Sequence, residues 1–190
     1  MTLRILLLLA QLALLLSCCL TAAAHLQARD HLTPKEIDLV KDAQELDKRI
    51  DVFIKAADRR LLVIRGLSAA DSKQLKKDAE FWGDLPTGSR SELVGDIAKI
   101  LDEAITNIDD VSTRDEKNPA LARALRKLAV AASRISDQLK PLQDSAADAA
   151  EAANFDVLMD NAETILQASR KLPPDAPQPR KGKGEKAKTN

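Results

Sequence analysis

A chain of 190 residues with 29 Lys and Arg against 29 Asp and Glu carries no formal net charge. That balance excludes a dedicated nucleic-acid binder, which presents a basic face on the fold itself. Three Phe, one Trp, no Tyr and only six Gly give little support to sheets and favour helices.

Arg4 is the sole charge ahead of an apolar run, Ile5 to Leu16, broken only by Gln11. Ala22 and Ala24 then put small residues at −3 and −1 of a cut before His25, the pattern of a secretory signal. Residues 1–24 are therefore expected to be a signal peptide and the mature protein to be exported, either periplasmic or secreted. Two other readings fit the same residues. Positions 5–24 are uncharged and just long enough to span a bilayer as an uncleaved anchor. Leu15-Leu16-Ser17-Cys18 resembles a bacterial lipobox, and acylation of Cys18 would leave a membrane-anchored lipoprotein. Soluble release is preferred, because the cleavage site is good and Leu at the second position before the cysteine is not favoured. Both cysteines, Cys18 and Cys19, precede that cut, so a chain starting at His25 has no thiol for catalysis, disulfides or metal.

The first helical signal is "LTPKE". Thr33 can cap, Pro34 fits the first helical position, and Glu36 completes a capping box. One helix is expected from there to Gly66, with a seam of Leu39, Ala43, Leu46, Ile50, Phe53, Ala57, Ile64 and Leu67 that only Arg60 interrupts. A short helix follows over Ala69–Phe81, then a loop, "WGDLPTGSR". Ser89 and Glu92 form a second capping box ahead of Val94, Ile97, Leu101, Ala104, Ile108 and Val111. Asn118-Pro119 opens the next helix, with Leu121, Leu125, Leu128, Ala132, Ile135, Leu139 and Leu142. The last seam is Phe155, Leu158, Ala162, Ile165, Ser169 and Leu172. Pro141 predicts a kink or an end. A turn near residues 143–147 is preferred over a kinked continuous helix or a turn at Asn154.

Alternating steps of three and four average 3.5 residues, the period of helices packed at shallow angles in bundles and coiled coils. The expected fold is all-α: a four-helix up-down bundle over residues 25–172 with a short extra crossover helix. A dimeric coiled coil would use the same seams. Residues 173–190 hold four Pro and a mildly basic set of charges, and are expected to be a disordered tail.

Chemistry-bearing motifs are missing. The two histidines, His25 and His31, precede every predicted helix, so a Ser/His or Cys/His pair lacks its base. An amino-terminal His25 could chelate Cu²⁺, but a solvated terminus is the preferred reading. "DDVSTRDEKN" lacks the alternation of a calcium loop. Carboxylates are plentiful, yet they fall on the polar faces of the predicted helices. No catalytic, cofactor-binding or metal-ligating residue is expected, and a carboxylate-only enzyme or a small-ligand-binding bundle ranks behind a non-enzymatic module. The aromatic pair Phe81-Trp82 has two readings: a plug for one end of the core, or a partner-binding edge.

With its leader, the stretch "LTPKEIDLVKDAQELDKRIDVFIKAADRRLLVI" and a helical remainder, the chain resembles small exported all-helical proteins of bacteria with no assigned function. The resemblance implies a bacterial origin, while the leader, the complete apolar seams and the missing catalytic residue types point to a non-enzymatic cell-envelope interaction or structural protein. Its partner would be an envelope protein or a second copy of itself, as in a helical oligomeric scaffold. The tail could touch an anionic surface weakly, and nucleic acid is not expected.

Overall fold

The computed structural model describes residues 29–67 and 73–173. The chain divides into two units at Asp30, and the second, from His31, holds every described helix. Among the described residues there are six helices and no strand: α1 (Pro34–Asp42), α2 (Leu46–Ile64), α3 (Lys73–Trp82), α4 (Arg90–Arg114), α5 (Ala120–Gln143) and α6 (Ala149–Arg170). None of them is long and apolar enough to cross a membrane.

Local signals set most of the boundaries. Thr33 and Ser89 are N-caps, and both capping boxes are complete, with Glu36 and Glu92 reaching back to the cap N–H. Gly66 adopts φ 74°. Its N–H donates to Val63 O, and the Leu67 N–H donates to Leu62 O, the paired bonds that close a helix through a left-handed residue. Asn118 caps α5 by accepting from the Ala120 N–H at 2.9 Å. Pro141 lies in the last turn, and the chain turns over residues 144–148 before Asp148 caps α6.

The expected single helix from Thr33 to Gly66 is instead two. Ala43 leaves the helix at ψ 88°, and Glu45 is extended. No glycine or proline marks the break. Its cause is non-local: Glu36 contacts Arg60 at 2.9 Å, whereas 24 residues of continuous helix would hold them ~36 Å apart. The bent chain lets α1 fold onto α2, and Arg49 Nε secures the turn by donating to Ala43 O at 3.0 Å.

Helix directions follow from the numbering of the contacts. Asp47–Arg123, Asp51–Lys127 and Asp58–Arg134 pair α2 with α5. Their separation in sequence is constant, so the two helices run in the same direction. Asn154 to Ser91 and Asn161 to Ala98 do the same for α6 and α4. Arg49–Asn107 and Arg60–Asp96 converge in number, so α2 and α4 are antiparallel. The packed pairs are α4 with α6, α2 with α4, α5 with α6 and α2 with α5; α4 and α5, consecutive in the chain, touch less.

Between these helices lie Ile50, Phe53, Ile97, Leu101, Leu128, Ile135, Leu139, Phe155, Leu158 and Ile165, all buried. Leu93, Ala98 and Ile100 are buried too although they stand off the expected seam, because α4 has neighbours on more than one side. Its contact with α6 is close at Gly95, where an added Cβ would stand 3.1–3.2 Å from the Asn154 side chain. Asn154 cannot yield without giving up its bonds to Ser91 O and Oγ. Ala usually stabilises a helix interior over Gly by about 0.5–1 kcal/mol. Here we expect Gly95→Ala to destabilise instead, by about 1 kcal/mol, read as a lower urea midpoint.

Candidate functional site

The seam interruption at Arg60 is the entry to the site. Arg60 is 1% exposed, and Glu36, Arg59 and Asp96 are buried with it. Glu36 and Asp96 therefore correct the expectation that carboxylates stay on polar faces. Glu36 enters the interior because the residue that completes the α1 capping box also faces α2.

Arg60 Nη1 donates to Glu36 Oε1 at 3.0 Å and to Ala56 O at 2.8 Å. Its Nη2 donates to His31 O at 2.5 Å, and its Nε lies 3.6 Å from Asp96 Oδ2. Arg59 Nε stands 3.1 Å from Glu36 Oε1. Arg59 Nη2 donates to Gly83 O at 3.1 Å and to Asp84 O. Two guanidiniums thus meet two carboxylates with no net charge, which is the condition for burying ions at tolerable cost. Burial pulls the Arg59 guanidinium below its ordinary value; Glu36 opposes this and Arg60 adds to it. Guanidiniums do not exchange protons near neutral pH, so both arginines keep their charge and hold what they grip as a clamp.

The clamp holds the aromatic pair. The Arg59 guanidinium lies over the Trp82 ring, 5.9 Å from its centroid, and the same side chain grips the two carbonyls that follow Trp82. Lys55 Nζ donates to Asp78 at 2.6 Å, tying α3 to α2. Trp82 is half-buried, and Phe81, edge-on to it at 5.9 Å, is 59% exposed. This corrects the plug reading: Trp82 is covered by a cation and Phe81 by nothing comparable.

Among the described residues no group of three His, Cys, Asp or Glu side chains is placed to hold a metal ion. His31 Nε2 is 2.7 Å from Glu103 Oε2. A groove of about 530 Å³ between α2 and α5 is lined by Ile54, Val130 and Ala131 beneath Arg123, Arg126, Lys127 and Arg134. The signal-cleavage residues Ala22, Ala24 and His25 and the lipidation candidate Cys18 lie outside the described residues, as does the tail from residue 174.

A second ion pair joins the starts of α4 and α6. Arg90 Nη2 donates to Glu151 Oε2 at 3.1 Å, and the Ala147 N–H donates to the same oxygen at 2.7 Å. The bond from Arg90, and then that from Ala147, holds Glu151 below its ordinary value of 4.5. A carboxylate depressed in the folded state stabilises fully above its unfolded value, and this is lost as pH falls through the lowered folded value. The protein is therefore expected to lose stability from neutral pH to below 4.5, and Glu151→Gln, with no proton to gain there, to lose less. Urea midpoints of both proteins across that range check it.

The aromatic edge and its clamp arise from contacts between residues 23 to 36 positions apart, and no related protein supplies a template for them: no family model matches the chain, and neither a curated protein nor a solved structure is similar to it.

Proposed function

We propose that the chain is an exported, non-enzymatic helical module of a bacterial cell envelope that works by contact through the edge at Phe81 and Trp82. In this reading α2, α4, α5 and α6 form a four-helix up-down bundle in which α2/α5 and α4/α6 are parallel neighbours. The constant sequence offsets of those two contacts support that topology, and the weaker packing of α4 on α5 supports a diagonal connection between them. The module would be freed by cleavage before His25, or would stay anchored through Cys18.

One observation carries the contact role. A cluster of four buried charges is arranged so that Arg59 covers Trp82 and fixes the chain that follows it, beside the exposed Phe81. Stability alone does not call for this, since well-packed apolar residues serve at least as well as buried ion pairs. The leader pattern supports export, and the missing base for Ser or Cys chemistry supports a non-enzymatic role.

Affinity capture from envelope fractions tests the proposal, comparing the native chain with Phe81→Ser. The native chain is expected to retain a partner that the variant loses. Mass spectrometry of the mature N-terminus decides between a His25 start and an acylated Cys18, and an unprocessed Met1 terminus would reject both in favour of the uncleaved anchor.

A further inference from the structure

Three features of α3 set it apart from the rest of the unit. It takes part in none of the main helix–helix packings, and none of residues 76–82 is buried. Left-handed glycines, Gly66 at φ 74° and Gly83 at φ 72°, stand on its two sides. Polar ties, from Lys55 to Asp78 and from Arg59 to the chain after Trp82, hold it to α2.

The free surface of α3 has a definite chemistry. Lys77 and Phe81 are four residues apart and share one helix face. Lys76 and Lys77 are exposed, as is the single acid Glu80, while Asp78 is taken by Lys55. Lysines beside an exposed aromatic on a short amphipathic helix match one environment well. Ammonium groups meet lipid phosphates, and the ring enters the boundary between headgroups and acyl chains.

We infer that α3 docks on an anionic phospholipid surface, with Lys76 and Lys77 on the headgroups and Phe81 inserted beside Trp82. This rests on the contact role of the Phe81–Trp82 edge and names its partner. The helix needs no refolding to dock, because Lys76, Lys77 and Phe81 are already exposed and the Arg59 clamp fixes its end. The rest of the unit stays in solution while α3 presents the cations.

Trp82 is the only tryptophan of the chain, so its emission reports on α3 alone. That matters because the apolar stretch Ile5–Leu16 would bring the full chain to vesicles by itself, and co-sedimentation would report on that stretch. The full chain is mixed with vesicles of equal parts phosphatidylglycerol and phosphatidylcholine, or of phosphatidylcholine alone, each with and without brominated acyl chains. On the anionic vesicles Trp82 emission should move to shorter wavelength and be quenched by bromine, with both effects fading as salt is raised. Lys76→Glu/Lys77→Glu and Phe81→Ser should each weaken this response at least tenfold in lipid concentration. Unchanged Trp82 emission would overturn the inference. So would equal quenching in variants whose far-UV circular dichroism matches the parent. If quenching is absent but Phe81→Ser still abolishes capture of a protein partner, lipid is the wrong partner and the contact role stands. If both fail, both readings fall.

Discussion

Glu36→Ala is expected to cost about 3–5 kcal/mol, the range for breaking a buried ion pair from one side. Glu36 is fully buried, and both Arg59 and Arg60 depend on it. Its loss leaves the buried Arg60 facing Asp96 alone and takes from Arg59 the largest of the charges that oppose its desolvation. The capping box of α1 goes with it, since the Thr33 N–H donates to Glu36 Oε2 at 2.9 Å. Urea unfolding followed by far-UV circular dichroism measures the loss. The test of mechanism is the double variant Glu36→Leu/Arg60→Met, which removes one charge of each sign and leaves the cluster neutral. It should cost less than Glu36→Ala despite changing two residues, because unpaired charge and not lost attraction dominates the penalty. A double variant less stable than Glu36→Ala would reject that account.

Phe155→Ala is expected to cost a similar amount, about 3–5 kcal/mol, for a different reason. Phe155 is fully buried, and the buried set of α6 is otherwise only Glu151, Leu158, Ala162 and Ile165. Removing the ring leaves a cavity at the start of a helix with few other anchors. Against a total stability of about 5–15 kcal/mol for a domain, that is a large share. Phe81→Ala provides the control: the same side chain, 59% exposed, should change stability by about 0.5 kcal/mol or less. Equal losses at the two positions would mean that α3 carries the fold, although none of residues 76–82 is buried.

What could be read from the sequence divides along physical lines. Thr33, Glu36, Ser89 and Glu92 announce their helix starts because a capping box needs only four consecutive residues. The seams of α4, α5 and α6 are legible because burial repeats with the helical period. The break at Ala43–Glu45 is not, since its cause is an ion pair spanning 24 residues and not a local breaker. The buried acids are hidden for the same reason: Glu36 already has a role as a capping residue, and Asp96 reads like any polar position. Arg60 is the available signal, because a cation on an apolar seam requires an anion facing it. Periodicity also gives faces but not neighbours, so nothing in the seams of α4 and α5 tells that these consecutive helices meet only weakly. Phe81 and Trp82 stand out in the sequence, but the Arg59 cover over Trp82 does not, because it joins side chains 23 positions apart.

The charges along α2 and α5 carry a further consequence. Asp47, Asp51 and Asp58 are spaced by four and then seven, and Arg123, Lys127 and Arg134 repeat that spacing. Four, seven and their total of eleven are all different. The marks therefore behave as a ruler with no repeated interval: sliding one helix along the other by any distance brings at most one acid opposite a base. Exposed ion pairs are each worth only about 0–1 kcal/mol, so their combined stabilisation is modest. Their spacing nevertheless singles out one alignment of two parallel helices whose apolar seams, repeating every seven residues, would fit nearly as well one repeat away.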